Sequence, residues 1–172
     1  MTITELRYRP GPIDPAALAR LRTTDDAGRP CAGHVDPEGG APLRCCLRRS
    51  RAGESIALVA YAPLRRWAAE RGASPGAYDE QGPVFIHAEE CGGPAAGAVG
   101  YPFARPGVLR TLRRYDAGGR IVGGRLLEVP EDDTRGFDVA LDEAFADPAV
   151  VQVHVRAVEY GCLLFTVDRP TT

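Results

Sequence analysis

A chain of 172 residues with 44% hydrophobic and 26% charged residues has the composition of a folded globular protein, which excludes disorder as its working state. A formal net charge of −2 leaves no positive excess for neutralising a phosphate backbone, so nucleic acid is excluded as the main partner. No window approaches the roughly 18 consecutive apolar residues of a membrane span, so a membrane is excluded as well.

In chain order, residues 3–9 (Ile3, Leu6, Tyr8) read as a short strand ending at Pro10-Gly11-Pro12. Asp14 as N-cap and Pro15 at the first helical position predict a short helix through Leu18 and Leu21. Residues 23–42, punctuated by Asp-Asp-Ala-Gly, Asp-Pro and Gly-Gly, read as a long loop. Leu43–Leu47 and Ser55–Tyr61 around the turn Arg51–Glu54 read as a hairpin, and residues 64–71 as one or two helical turns anchored by Trp67.

Gly82-Pro83 introduces Val84–Ala88, a strand of the buried type that ends at Cys91-Gly92-Gly93-Pro94, and a Gly/Ala/Pro-rich loop runs on to Gly100. Residues 108–115 and 120–128 flank Asp116–Gly119, a hairpin turn in which glycine supplies positive φ, and Gly123-Gly124 suggest a bulge. Asp138–Phe145 has the apolar spacing of an amphipathic helix. Val150–Arg156 and Cys162–Arg169 form a last hairpin. The sum is an α+β fold, a mostly antiparallel curled sheet or partial barrel of about seven or eight strands with two or three short helices. One domain is expected over residues 1–172, an N-terminal segment of 1–40 followed by a core of 41–169.

Absences restrict the chemistry. Lysine is missing, which removes Schiff-base chemistry, pyridoxal phosphate attachment and a Walker-type phosphate loop. Ser50, Ser55 and Ser74 are the only serines, none in a G-x-S-x-G elbow. Cys31, Cys45, Cys46, Cys91 and Cys162 are odd in number and irregular in spacing, so they form no disulfide framework. With no basic, apolar secretory start over Met1–Arg7, a bacterial-type cytoplasm is the expected location.

Alternation along the last hairpin puts Val151, Val153 and Val155 on one face with Leu163, Phe165 and Val167, and Gln152, His154, Arg156 and Cys162 on the other. Pairing Arg156 with Cys162 sets His154 opposite Leu164 and Gly161 at positive φ. His154, Arg156 and Cys162 on one surface have the makings of an anion-binding or nucleophilic site, weighed against a solvated face with an inert thiol. His87 closes a strand at its rim, and His87-Ala88-Glu89-Glu90-Cys91 sets a His and a Cys at i, i+4. That is half of a metal site if Cys45 or Cys46, or His154 with Cys162, supplies the rest; a capped strand end explains the same letters. Cys31 and His34 hold the C-x-x-H spacing of the long loop. Arg113, Tyr115 and Arg120 of the Arg/Tyr hairpin are candidate ligand-binding residues, against a solvated face in an arginine-biased chain.

Arg44-Cys45-Cys46-Leu47, Gly53-Glu54 before an apolar strand, Gly82–Ala88, Tyr115-Asp116, Arg120–Gly123, Val153–Arg156 and Gly161-Cys162, in that order, resemble the bacterial DUF1203 family, a domain of unknown function. The resemblance covers about residues 40–169. It implies that His87, Tyr115, Arg120, His154, Arg156 and Cys162 are family features, and assigns none of them a role.

The leading functional expectation is a small-molecule site without an organic cofactor, acting on an anionic metabolite, with His154 as acid/base, Arg156 as anion clamp, Cys162 as thiol partner, and His87 and an arginine completing it. The alternatives are a non-enzymatic interaction module, for instance a homodimer, and a Cys/His zinc protein.

Overall fold

In the computed structural model, which describes residues 6–171, helices start where capping chemistry is available. Asp14 accepts from the backbone N–H groups of Ala16 and Ala17, and α1 runs Pro15–Leu21 as expected. α2, Pro63–Arg71, also opens on proline and ends at Gly72, whose φ of 67° is the left-handed C-cap. α3, Asp133–Phe145, begins ahead of the expected Asp138, because Asp132 accepts from the Arg135 N–H and caps the extra turn.

Among the described residues nine strands divide between two sheets, which replaces the single curled sheet read from sequence. β1 (Gly33–Val35), β2 (Gly39–Leu43), β3 (Arg48–Arg51), β4 (Ser55–Tyr61) and β5 (Gly82–His87) form a sheet of order β1-β4-β5-β2-β3. β6 (Leu109–Tyr115), β7 (Ile121–Glu128), β8 (Gln152–Ala157) and β9 (Leu163–Asp168) form a second of order β7-β6-β8-β9. No closed barrel forms among the described residues. Pairing is antiparallel except between β2 and β5.

Three expectations need correction. The segment read as a loop over 23–42 contains β1 and most of β2. The apolar run of β4 does not pair with Leu43–Leu47; it pairs with β5 and β1, burying Ile56, Ala57 and Val59 between them. Residues 3–9 fall partly outside the described residues, and Leu6–Arg9 contain no strand.

The β6–β7 hairpin is as expected, with its pairing irregularity beside Gly123. In the last hairpin the valines of β8 still face apolar residues of β9, but two positions further along than expected: Val153 lies opposite Val167, not Phe165, and Val155 opposite Phe165, not Leu163. Arg156 lies opposite Leu163, not Cys162, and a bulge between Val155 and Arg156 adds a further position, so that His154 lies opposite Thr166, not Leu164. The extra residue lets Leu164 join Phe165 in the core, a gain of about 1.5–3 kcal/mol over leaving it exposed. Gly161 has a φ of 69° at the strand entry, as its turn requires.

Each sheet has its own cover. α3 packs Phe137, Leu141 and Phe145 onto Leu112, Val153, Val155 and Phe165. α2 packs Leu64, Trp67 and Ala68 around Tyr115, which also sits on the second sheet. α1 lays Leu18 and Leu21 against Leu43, Ile56, Val84 and Ile86 of the first. Buried Arg44, just past β2, ties the sheets together by donating its Nε–H to the Leu163 carbonyl at 2.7 Å.

Candidate metal centre

The parallel pairing of β2 with β5 decides what meets at one end of the first sheet. Leu43 lies opposite Phe85, and the Arg44 N–H donates to the Phe85 carbonyl at 2.9 Å, so both strands end side by side. Beyond β2 the chain folds back in a tight turn, closed by the Leu47 N–H on the Leu43 carbonyl at 3.0 Å with Leu47 at a φ of 57°. This turn carries Cys45 and Cys46 and sets them against His87, the last residue of β5. His87 donates its backbone N–H to Cys45 Sγ at 3.2 Å. Past the strand, Gly92 and Gly93 at φ of 77° and 80° turn the chain immediately after Cys91.

Four donor atoms, one each from Cys45, Cys46, His87 and Cys91, lie within 4.8 Å of one another. Cys45 Sγ is 3.9 Å from Cys46 Sγ, and His87 Nδ1 is 3.4 Å from Cys45 Sγ and 3.7 Å from Cys46 Sγ. A tetrahedral zinc with ordinary Zn–S and Zn–N bonds separates its ligands by about 3.8 Å (S to S) and about 3.5 Å (S to N). The three short separations therefore match the edges of such a tetrahedron, with Cys91 completing the set.

A metal on Nδ1 requires the proton of His87 on Nε2, where Glu54 Oε2 stands as acceptor at 3.4 Å, beside Arg48 Nη2 at the same distance. Glu54 is itself held, by Arg48 Nη1 and Nη2 at 3.0 and 2.6 Å and by the Arg51 N–H at 2.8 Å. These donors, Arg48 first, pull its carboxyl down to about 2. The Cys46 thiol is drawn down, first by the hydrogen bond from Cys45, then, against burial, by the Arg48 N–H and the charges of His87 and Arg48. The same pair interaction and burial push Cys45 up. One thiolate thus forms readily in the pair, as metal binding demands.

The other residues singled out from sequence lie elsewhere. His154 is fully buried on the face where Tyr115 sits, its ring 4.3 Å from that of Tyr115. Gln152 donates its Nε2–H to Asp168 Oδ1 at 2.7 Å, which aims its Oε1 at His154 Nε2, 2.8 Å away. The proton of His154 is therefore on Nε2, and Nδ1 has no partner among the described residues. Arg156 and Arg113 both reach Oε1 of Glu80, Arg156 at 3.2 Å. Cys162 is not paired with Arg156; its Sγ lies 3.6 Å from the Tyr160 carbonyl. Arg120 is exposed at the β6–β7 turn, and Cys31 and exposed His34 are not among the four clustered donors.

His87, assigned from sequence to the same site as His154, instead stands with the cysteines. The His87/Cys91 spacing with Cys45 or Cys46 was legible, and both vicinal thiols converge. Glu54 and Arg48 were not, since a turn carboxylate next to a basic strand carries no signal of what it faces.

The family model described as Protein of unknown function (DUF1203) matches residues 40–169, a span that includes all four donors. No curated protein and no solved structure matches the chain.

Proposed function

The chain belongs to the DUF1203 family, and from that premise we propose that it is a metal-binding protein in which Cys45, Cys46, His87 and Cys91 hold one zinc ion. The observation that carries this reading is the tetrahedron-like spacing of the first three donors, at 3.4 to 3.9 Å, with the fourth within 4.8 Å. Three sulfurs and an imidazole suit zinc better than magnesium or calcium, which take oxygen. The ion supplies a cross-link that joins the turn after β2, the end of β5 and the loop behind it. Glu54 fixes the ring of His87 through Nε2. Elemental analysis of protein purified without chelator or metal-affinity resin tests it: one zinc per chain is expected, and sub-stoichiometric zinc in protein offered excess zinc ends the reading.

A second reading keeps the anion site expected from sequence, now centred on Arg113 and Arg156. What favours it is that both guanidinium groups meet one carboxylate oxygen, that of Glu80, beside buried His154 with its unpartnered Nδ1. The space beside Arg156 and Glu80 is about 10 Å³, room for a water at most, so an anionic ligand has to displace Glu80. Titration calorimetry with malonate and phosphate decides it: Glu80→Gln should bind at least one of them more tightly than the wild type does, and no binding to either protein removes this reading.

A further inference from the structure

We infer that the metal centre is also a ligand site: Cys91 is an exchangeable fourth ligand, and the position it leaves takes a small thiol carboxylate whose carboxylate pairs with Arg22. This rests on the metal reading above. The first support is a hollow of about 460 Å³ that opens against the cluster, lined by Pro12, Ile13, Leu18, Arg22, Cys45 and Cys91. The second is Arg22 itself. It stands at the C-cap of α1 and donates its Nε–H to the backbone carbonyl of His87 at 3.2 Å, which anchors it beside the metal ligands. Its Nη2 is shielded from solvent and has no hydrogen-bond partner among the described residues. Arg22 lines the hollow, so its guanidinium is the cation that an anionic oxygen seated there would meet.

The third support is the unequal hold on the four donors. Cys45 and Cys46 are buried in a hydrogen-bonded turn and His87 ends a strand, whereas Cys91 is partly exposed and sits just before Gly92 and Gly93, both at positive φ. Of the four, Cys91 is the one that can swing away without unmaking a sheet. The rest of the lining is apolar, and exposed Glu90 also borders the hollow, which restricts the ligand to a small anion seated deep, next to Arg22. The exchange balances without an oxidant: the incoming thiol loses its proton as its sulfur bonds the metal, and the Cys91 thiolate takes up a proton as its bond breaks.

Cobalt(II)-loaded protein, whose tetrahedral cobalt–thiolate absorption reports on the ligand set, is the test material. Mercaptoacetate should change the visible spectrum saturably, and 2-mercaptoethanol, which lacks the carboxylate, should need at least about 10-fold higher concentration. In Arg22→Met that difference should vanish. In Cys91→Ala, one cobalt per chain should remain and mercaptoacetate should bind more tightly, with no thiolate to displace. A loaded protein whose spectrum ignores mercaptoacetate, or responds equally to both thiols, overturns the inference and leaves the metal reading standing; the wild-type comparison needs no variant to fold. Cobalt recovered in the small-molecule fraction after mercaptoacetate also overturns it, since that is extraction of the metal and not a ternary complex. Protein that takes up neither cobalt nor zinc defeats the metal reading, and this inference with it.

Discussion

His87 Nδ1 stands 3.4 Å from Cys45 Sγ although 42 positions separate the two residues. If that contact is a metal-site edge, Cys45→Ser and His87→Ala should each cut bound zinc to less than about a tenth of the wild-type content at matched free zinc. Binding at 100 times Kd stabilises a fold by about 2.7 kcal/mol, which for a chain of this size shifts Tm by roughly 5–10 °C. Zinc-loaded wild type should therefore melt that much above each variant. A chelator should remove most of the gap, because the apo proteins differ only in local packing. Wild type that melts at the same temperature with and without chelator contradicts this prediction.

Glu54 reaches the cluster through the His87 ring, at Nε2. Glu54→Gln keeps its shape and removes its charge, so zinc affinity should fall about 10- to 100-fold with little change in the melting of the apo protein. Competition against a chromophoric zinc chelator measures this. An affinity within a factor of two of wild type would mean that Glu54 serves Arg48 alone.

How far the sequence reading reached depended on whether neighbours along the chain decide the outcome. Asp14-Pro15, Asp116–Gly119 and the valines of β8 sort themselves locally, by capping, turn chemistry and alternation, and each was legible. β2 was not, since Gly39-Gly40-Ala41-Pro42-Leu43 has two glycines at positive φ and no alternation, and its place beside β5 is fixed by distant contacts. The polar face of β8 was misplaced for a related reason. Alternation identifies two faces but not what covers them, and the second sheet is covered on both sides, by α3 and by α2, so Gln152 and His154 are interior residues. At the metal centre the donor types and the His87/Cys91 spacing were readable; the parallel pairing that selects Cys45 and Cys46 as their partners was not.

Gly136 lies inside α3, where replacing glycine by alanine ordinarily stabilises a helix by about 1 kcal/mol. Here a β-carbon would stand 2.4 Å from Cδ and 2.6 Å from Cγ of Pro130, a rigid ring that cannot rotate away. Gly136→Ala should therefore be destabilising by about 1–3 kcal/mol net, read as a lower denaturation midpoint at unchanged m-value. A stabilised variant would show that the segment before α3 yields without loss.

Burial holds the pKa of His154 down to about 3, with the charges of Arg156 and Arg113 adding to the effect. In the folded protein the ring stays neutral, while in the unfolded chain it takes up a proton near its ordinary 6.5. Below pH 6.5 the unfolded state therefore binds one proton more than the native state at this residue. The stability His154 contributes is complete above pH 6.5 and is lost as the pH falls from there toward 3, at up to about 1.4 kcal/mol per pH unit. His154→Gln has no proton to take up in this range. It should be less stable than wild type at pH 7, because the tilted ring contact with Tyr115 and the bond to Gln152 are disturbed, and the gap should narrow steadily at pH 6, 5 and 4. Denaturant unfolding at those four pH values, with the wild-type slope compared to the variant's, is the measurement. Parallel slopes would mean that His154 can be protonated inside the fold, and that the buried, neutral ring assigned here is wrong.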